Sequence, residues 1–284
     1  MKTRISLLTI FLLLCFLVGC AITDPAVKPP VPQDTVSSEP EEAPTAPVDE
    51  SIPPLTLRIV DGAGTDTLLL AERDEGRAGV YTLHTASLPS GVLSEGTLKN
   101  GHLIRVHYGS FTEGWPMSFG GVSAIEVVDG GFDDRASLYL QVLEDLWEKD
   151  SGLNGGVEVI GVDLSQTSLT AAEQSAVALA FTNRHGTSLL EGSLETLIEQ
   201  GYITGEPLGT EDAPSDAKFY HWENGCHFSI TEQPMEGTYS LVPVTFDAQK
   251  WRSSLGAYFF CDCTSVQSAL GKWSDYTIGS EMIS

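Results

Sequence analysis

Positive charge is what this sequence most lacks: 15 lysines and arginines stand against 39 aspartates and glutamates, a formal net charge of −24 at pH 7. Nucleic acid and anionic lipid are therefore poor partners, because affinity for phosphate depends on the basic side chains that neutralise it. Cysteine is scarce as well, with five in all, of which only Cys226, Cys261 and Cys263 lie beyond the first twenty residues. Three thiols cannot all pair within one chain, so at least one is free, joined to another molecule or bound to metal. The apolar run at residues 5–18 has fourteen residues, short of the roughly 18 that a membrane-spanning helix needs. No G-x-S-x-G turn surrounds Ser253 or Ser254, so serine-based catalysis has no motif here.

What is present begins at the N-terminus. Lys2 and Arg4 precede the apolar run, and Gly19 and Cys20 close it, which is the pattern of an export signal. The four residues "LVGC" resemble the lipobox of bacterial lipoproteins. That resemblance implies cleavage before Cys20, acylation of Cys20, and a protein held at the cell membrane by a lipid anchor, facing outside the cytoplasm. Losing residues 1–19 would leave 13 basic against 39 acidic residues, a balance of −26. Residues 21–54 hold nine of the fifteen prolines and no aromatic residue, so they have nothing with which to build a core. Residues 20–54 are expected to be a disordered tether of at most about 3 Å per residue, long enough to hold a domain up to ~100 Å from its anchor.

The folded part divides by period near residue 130. Residues 55–130 contain five short alternating or apolar runs, "LTLRIV", "DTLLLAE", "GVYTLHT", "HLIRVHY" and "VSAIEVV", separated by glycine-rich turns, and a small all-β barrel or sandwich is expected. Within them residues 101–109, 113–116 and 122–128 resemble small oligonucleotide-fold-like modules of exported lipoproteins from Gram-positive bacteria. The resemblance implies a fold and brings no catalytic residues; with only Lys99 and Arg105 among these strands, nucleic-acid binding is set aside. The C-terminal segments "KWRSSLGAYFF" and "KWSDYTIGSEMIS" likewise resemble exported lipoproteins of that group, which implies a shared domain and no activity.

Residues 131–284 read as an α+β domain with helices packed on an antiparallel sheet, cone-like by analogy of element order. Leu138, Tyr139, Val142, Leu143, Leu146 and Trp147 recur at helical spacing after Asp133, a candidate N-cap. In "SLTAAEQSAVALAFTNRHG", Thr170 and Glu173 form a capping box and Gly186 is a C-cap. "SLLEGSLETLIEQG" reads as a second, shorter helix. A DNA-binding helix pair is excluded by Glu191, Glu195 and Glu199, which stand where phosphate contacts demand basic residues. The remaining residues read as strands.

The most reactive stretch is "FYHWENGCHFSI", residues 219–230. Asn224-Gly225 between two strand-like runs is the mark of a type I′ hairpin. A two-residue loop would put Phe219, His221, Glu223, Cys226, Phe228 and Ile230 on one face and Tyr220, Trp222, His227, Ser229 and Thr231 on the other. His221 and His227 then cannot share one metal shell. Cys226 with His221, and with Cys261 and Cys263 on one face of a later strand, could bind metal, form a disulfide or remain reduced thiols. Tyr220, Trp222 and His227, with Trp251 and Arg252, form a candidate aromatic ligand-binding face for a peptide, glycan or envelope protein. A non-catalytic binding protein needing no cofactor is the leading expectation, and a thiol- or metal-dependent extracytoplasmic enzyme centred on the Cys/His cluster is the alternative.

Overall fold

In the computed structural model the described residues are 52–73, 78–93, 97–208, 217–234 and 242–284. Cys20, the signal segment and all but the last three residues of the expected tether lie outside them. Everything described falls within the unit Pro47–Ser284. It is mostly β, with two mixed sheets and few helices.

The first sheet is built from β1 (Leu55–Asp61), β2 (Thr67–Glu72), β3 (Val80–His84), β4 (Leu103–His107), β5 (Ser110–Thr112), β6 (Met117–Gly120) and β7 (Ala124–Val127). Their order is β5-β6-β3-β2-β1-β4-β7, antiparallel except between β3 and β6. β5 and β6, on either side of the turn at residues 113–116, add two strands to the five that the alternation implies. Leu55, Leu57 and Ile59 alternate into a core with Leu68, Leu70, Ile104 and Val106. Val60, Ala71 and Val80 belong instead to the cluster around the helices. Both faces of β1 are thus covered, which is why "LTLRIV" reads as nearly continuous apolar sequence.

After this sheet come α1 (Arg135–Glu148), β8 (Val159–Gln166), α2 (Ala171–His185), β9 (Ser188–Glu191), α3 (Leu194–Glu199), β10 (Thr204–Pro207), β11 (Lys218–His221), β12 (Gly225–Glu232), β13 (Val242–Ser253), β14 (Gly256–Gln267) and β15 (Ser280–Ile283). The apolar stripe of α1, Leu138, Tyr139, Val142, Leu143 and Leu146, is buried, and its N-cap is Asp134, one residue later than expected. Asp133 instead accepts from the Arg135 amide at 3.0 Å. In α2 the Thr170/Glu173 capping box and the left-handed Gly186 cap are both present. α1 and α2 pack between the two sheets, with Phe181, Phe228, Phe246 and Phe260 in their common cluster.

Three expectations fail in the second sheet. It is mixed, not antiparallel: β12, β8 and β9 run parallel, while β13, β14 and β15 continue antiparallel. The segment expected to be a second helix is split between β9, parallel to β8, and the six-residue α3. A short "SLLE" run carries too few residues for its period to separate strand from helix.

The hairpin at Asn224-Gly225 is also absent. β11 and β12 both run antiparallel to β13, pairing His221 with Ser253 and His227 with Trp251. They therefore run in the same direction as each other, and residues 218–232 are one line of strand interrupted by a bulge at 222–224. Neither Asn224 nor Gly225 has positive φ, so no type I′ turn forms. Glycine is required for a different reason: a Cβ on Gly225 would lie 2.0 Å from Trp222 Cε2. The long strand β13 supplies the partner that a hairpin would have had to provide for itself.

Basic residues, few as they are, serve as internal ties. Arg58, buried on β1, bonds the Gly101 carbonyl at 2.8 Å, the Gly131 carbonyl and Glu173 at 3.4 Å, and Arg73 reaches the same Glu173 at 2.9 Å. Burial pulls the Arg58 pKa below its ordinary value, and Glu173 opposes that pull. Lys250, fully buried on β13, donates to the carbonyls of Trp147, Lys149 and Asp150 at 3.1, 2.7 and 3.3 Å. A cation on the last carbonyls of α1 satisfies acceptors that the helix leaves open and complements its dipole.

Candidate functional site

The residues singled out from sequence do not meet in one place. Cys226 and Cys263 are fully buried in the cluster beside α1 and α2, and Cys261 is half-buried. All three thiols are free, so of the three outcomes left open by the sequence the structure contains reduced thiols and no disulfide. A bulge at Asp262, with φ 55, lets both Phe260 and Cys263 reach the core. Cys261 and Cys263 therefore do not share a face, as regular alternation would have required. His221 sits at the junction with β10, its Nε2 3.4 Å from Thr204 Oγ1 and its ring stacked on Phe219. Among the described residues no group of three or more His, Cys, Asp or Glu is arranged to hold a metal ion.

The thiols are also in the wrong electrostatic state for nucleophilic chemistry. Burial, the largest cause in each case, pushes Cys226 up to about 12 and Cys263 up to about 12, and it raises Cys261 as well. Reactive cysteines need the opposite shift.

The expected aromatic face lies under α3. Trp222 and Trp251, 3% and 7% exposed, form a second small cluster with Leu197, Ile203 and Ala257, and Tyr220 packs on its edge. His227 is 2% exposed, and its Nε2 lies 3.0 Å from the Gly192 carbonyl. Burial lowers its pKa, which holds the ring neutral with Nε2–H as the donor. Arg252 donates to the carbonyls of Leu153, Gly155 and Glu223 at 2.8, 2.6 and 2.6 Å, tying the loop after α1 to the sheet. These residues are core and scaffold, and no ligand can reach the two indole faces without displacing α3.

A cavity lined by other residues lies elsewhere. A cleft of about 650 Å³ lies between α1 and the chain that follows β14, with Asp134, Ser137, Leu138, Gln141 and Asp145 on the helix side and Lys272 to Tyr276 and Ile278 opposite. The helix residues fall at three- and four-residue intervals, so they share one face. The far wall is fixed by hydrogen bonds to that helix and its cap: Trp273 N to Asp134 at 2.7 Å, Trp273 Nε1 to Asp133 at 2.8 Å, and Tyr276 OH to Asp145 at 2.6 Å. Gln141 Nε2 donates to the other oxygen of Asp145 at 2.8 Å, and the Arg135 guanidinium lies 4.4 Å over the Trp273 ring. Gly271, at φ 82, permits the approach, since a Cβ there would meet the Phe132 carbonyl oxygen at 1.9 Å. Burial raises the pKa of Asp134, against the pull of its bond from the Trp273 amide.

The cleft is thus a stiff-walled recess with an apolar floor at Leu138 and Ile278 and an acceptor-rich rim. It offers orientation and hydrogen bonding, and it contains no paired nucleophile and base. Sequence reasoning read Asp133 only as a cap and missed Gln141, Asp145 and Tyr276. The polar stripe 134, 137, 141 and 145 was the available signal; nothing in the sequence announced the opposing wall. No family model matches the chain, and neither a curated protein nor a solved structure matches it.

Proposed function

We propose that this is a lipid-anchored protein of the cell envelope, facing outside the cytoplasm, which binds a peptide or a segment of a partner protein in the cleft beside α1 without transforming it. The observation that carries the binding reading is the cleft itself: its carboxylates, amide and phenol hold one another in place around a cavity of ligand size. A ligand with a cationic or neutral polar group suits a rim holding Asp134, Asp145 and Asp275 against Lys272. The anchor rests on Lys2, Arg4, the apolar run and Cys20. The thiol- or metal-dependent alternative ranks below it, because its cysteines are pushed away from the thiolate form and His221 lies apart from them. The same reading takes residues 55–130 as a barrel-like module, supported by the parallel bridge of Leu93 to Ile125 beyond the strand ladder, and residues 131–284 as an α+β domain whose sheet curves around its helices.

The binding test is a thermal-shift screen of short peptides on the native chain and on Gln141→Trp, which fills the cleft. Peptides that raise the Tm of the native chain should leave that of Gln141→Trp unchanged; shifts that survive the plug, or none with any peptide, would refute the cleft. For the anchor, a labelled fatty acid should be incorporated into the native protein and not into Cys20→Ala; equal labelling of both, or of neither, would refute it.

A further inference from the structure

The cleft beside α1 turns most of its side-chain hydrogen-bond donors on itself. The Trp273 indole donates to Asp133, while the Tyr276 hydroxyl and the Gln141 amide nitrogen both donate to Asp145. The Ser274 hydroxyl is held between the Val266 amide and the Asp275 carbonyl, and Ser137 Oγ is closed off from solvent. Acceptors are what remain. Asp134 accepts the Trp273 amide through Oδ1 alone, and its Oδ2, Gln141 Oε1 and the Asp275 carboxylate have no hydrogen-bond partner on another described residue. Charge leans the same way, with Asp134, Asp145 and Asp275 against Lys272 in the described lining. Lys272 stands close enough to Asp134 to oppose its charge, which leaves Asp145 and Asp275 with no cation of their own in that lining.

We infer, on the reading of this cleft as a peptide site, that the segment it takes carries a lysine or arginine side chain. A lining that presents acceptors needs a ligand that brings donors, and an ammonium or a guanidinium has donors and no acceptor. The stem of either residue is aliphatic, which suits the floor of Leu138 and Ile278. An acidic segment is repelled by the same carboxylates and by the −24 carried by the whole chain. Length favours a segment over a free amine. At a rise of about 1.5 Å per residue Asp134 and Asp145 lie ~16 Å apart along α1, the reach of roughly five extended residues.

The test is fluorescence anisotropy of labelled short peptides, capped at both ends and differing only in a central arginine, lysine, norleucine or glutamate, titrated with the full chain carrying Cys20→Ala. The arginine and lysine peptides are expected to bind roughly fivefold more tightly than the norleucine peptide at low salt, and added salt should narrow that margin. Asp275→Asn should shrink the margin and Lys272→Gln widen it; both side chains are exposed, so neither change threatens the fold. Gln141→Trp should abolish binding of every peptide. A norleucine or glutamate peptide that binds as tightly as the basic ones, and is still blocked by Gln141→Trp, overturns this inference while the cleft stands as a peptide site. Binding by no peptide, or binding that Gln141→Trp leaves intact, overturns both. Spermidine that displaces the arginine peptide at an equal or lower concentration overturns it in favour of a free polyamine.

Discussion

The protein has two aromatic clusters with similar side chains and opposite fates. Trp222 and Trp251 sit on the second sheet under α3, while Phe111 and Trp115 stand exposed on the edge hairpin of the first sheet, with no described element over them. Local sequence does not distinguish them: "FYHWENGC" and "SFTEGWPM" both mix rings with polar residues and a glycine turn signal. The difference is a six-residue helix. Where α3 covers the sheet the rings are core, and where no element covers it they are available surface.

That contrast can be broken from the buried side first. Trp222→Ala should cost about 3–5 kcal/mol, as removal of a large ring from a packed cluster does, and the loss is measured by denaturant unfolding. If the cost is under 1 kcal/mol, the indole is not packed as described. Gly225→Ala should cost about 1–3 kcal/mol, because its methyl collides with the Trp222 indole. A joint variant, Gly225→Ala with Trp222→Leu, should recover part of that loss, whereas a turn requiring positive φ would show no such recovery.

A pH titration of stability sharpens the same comparison. His227 has its pKa lowered in the fold, so the unfolded chain binds the proton more readily. Its contribution to stability is present above the unfolded value of about 6.5 and is lost as the pH falls below it. The chain should therefore weaken between pH 7 and 5, and His227→Gln, which keeps a donor for the Gly192 carbonyl, should flatten that part of the profile. The smallest effect belongs to the exposed cluster: Trp115→Ala should shift unfolding by no more than about 0.5 kcal/mol. A larger loss would mean that the ring is packed. Thiol counting gives an independent check, with Cys226 and Cys263 silent toward a thiol reagent until the chain unfolds.

Much of the fold was legible, and the failures share a cause. The capping box at Thr170 and Glu173, the Gly186 cap and the apolar stripe of α1 are local signals, decided within one or two turns of helix, and the structure contains them. Five of the seven strands of the first sheet follow from alternation alone. What went unread depends on partners distant in sequence. Asn224-Gly225 carries a strong hairpin signal, yet β13 offers a longer ladder on which residues 218–232 can lie, and the dipeptide becomes a bulge packed by Trp222. Cys261 and Cys263 lose their common face to a bulge at Asp262 that pairing with β13 imposes. The cleft escaped for the same reason, since half of it is a helix face and the other half a segment about 130 residues later.

The sequence by itself determined the acidity, the N-terminal signal pattern and the proline-rich stretch after it, together with the helices and most strands, because composition and short-range periodicity act within a few residues of chain. Only the tertiary structure decided which rings are buried, which thiols are inert and where the cavity lies. Those outcomes depend on which element covers which face, and coverage is a contest among distant segments for the same apolar surface and the same open backbone edge.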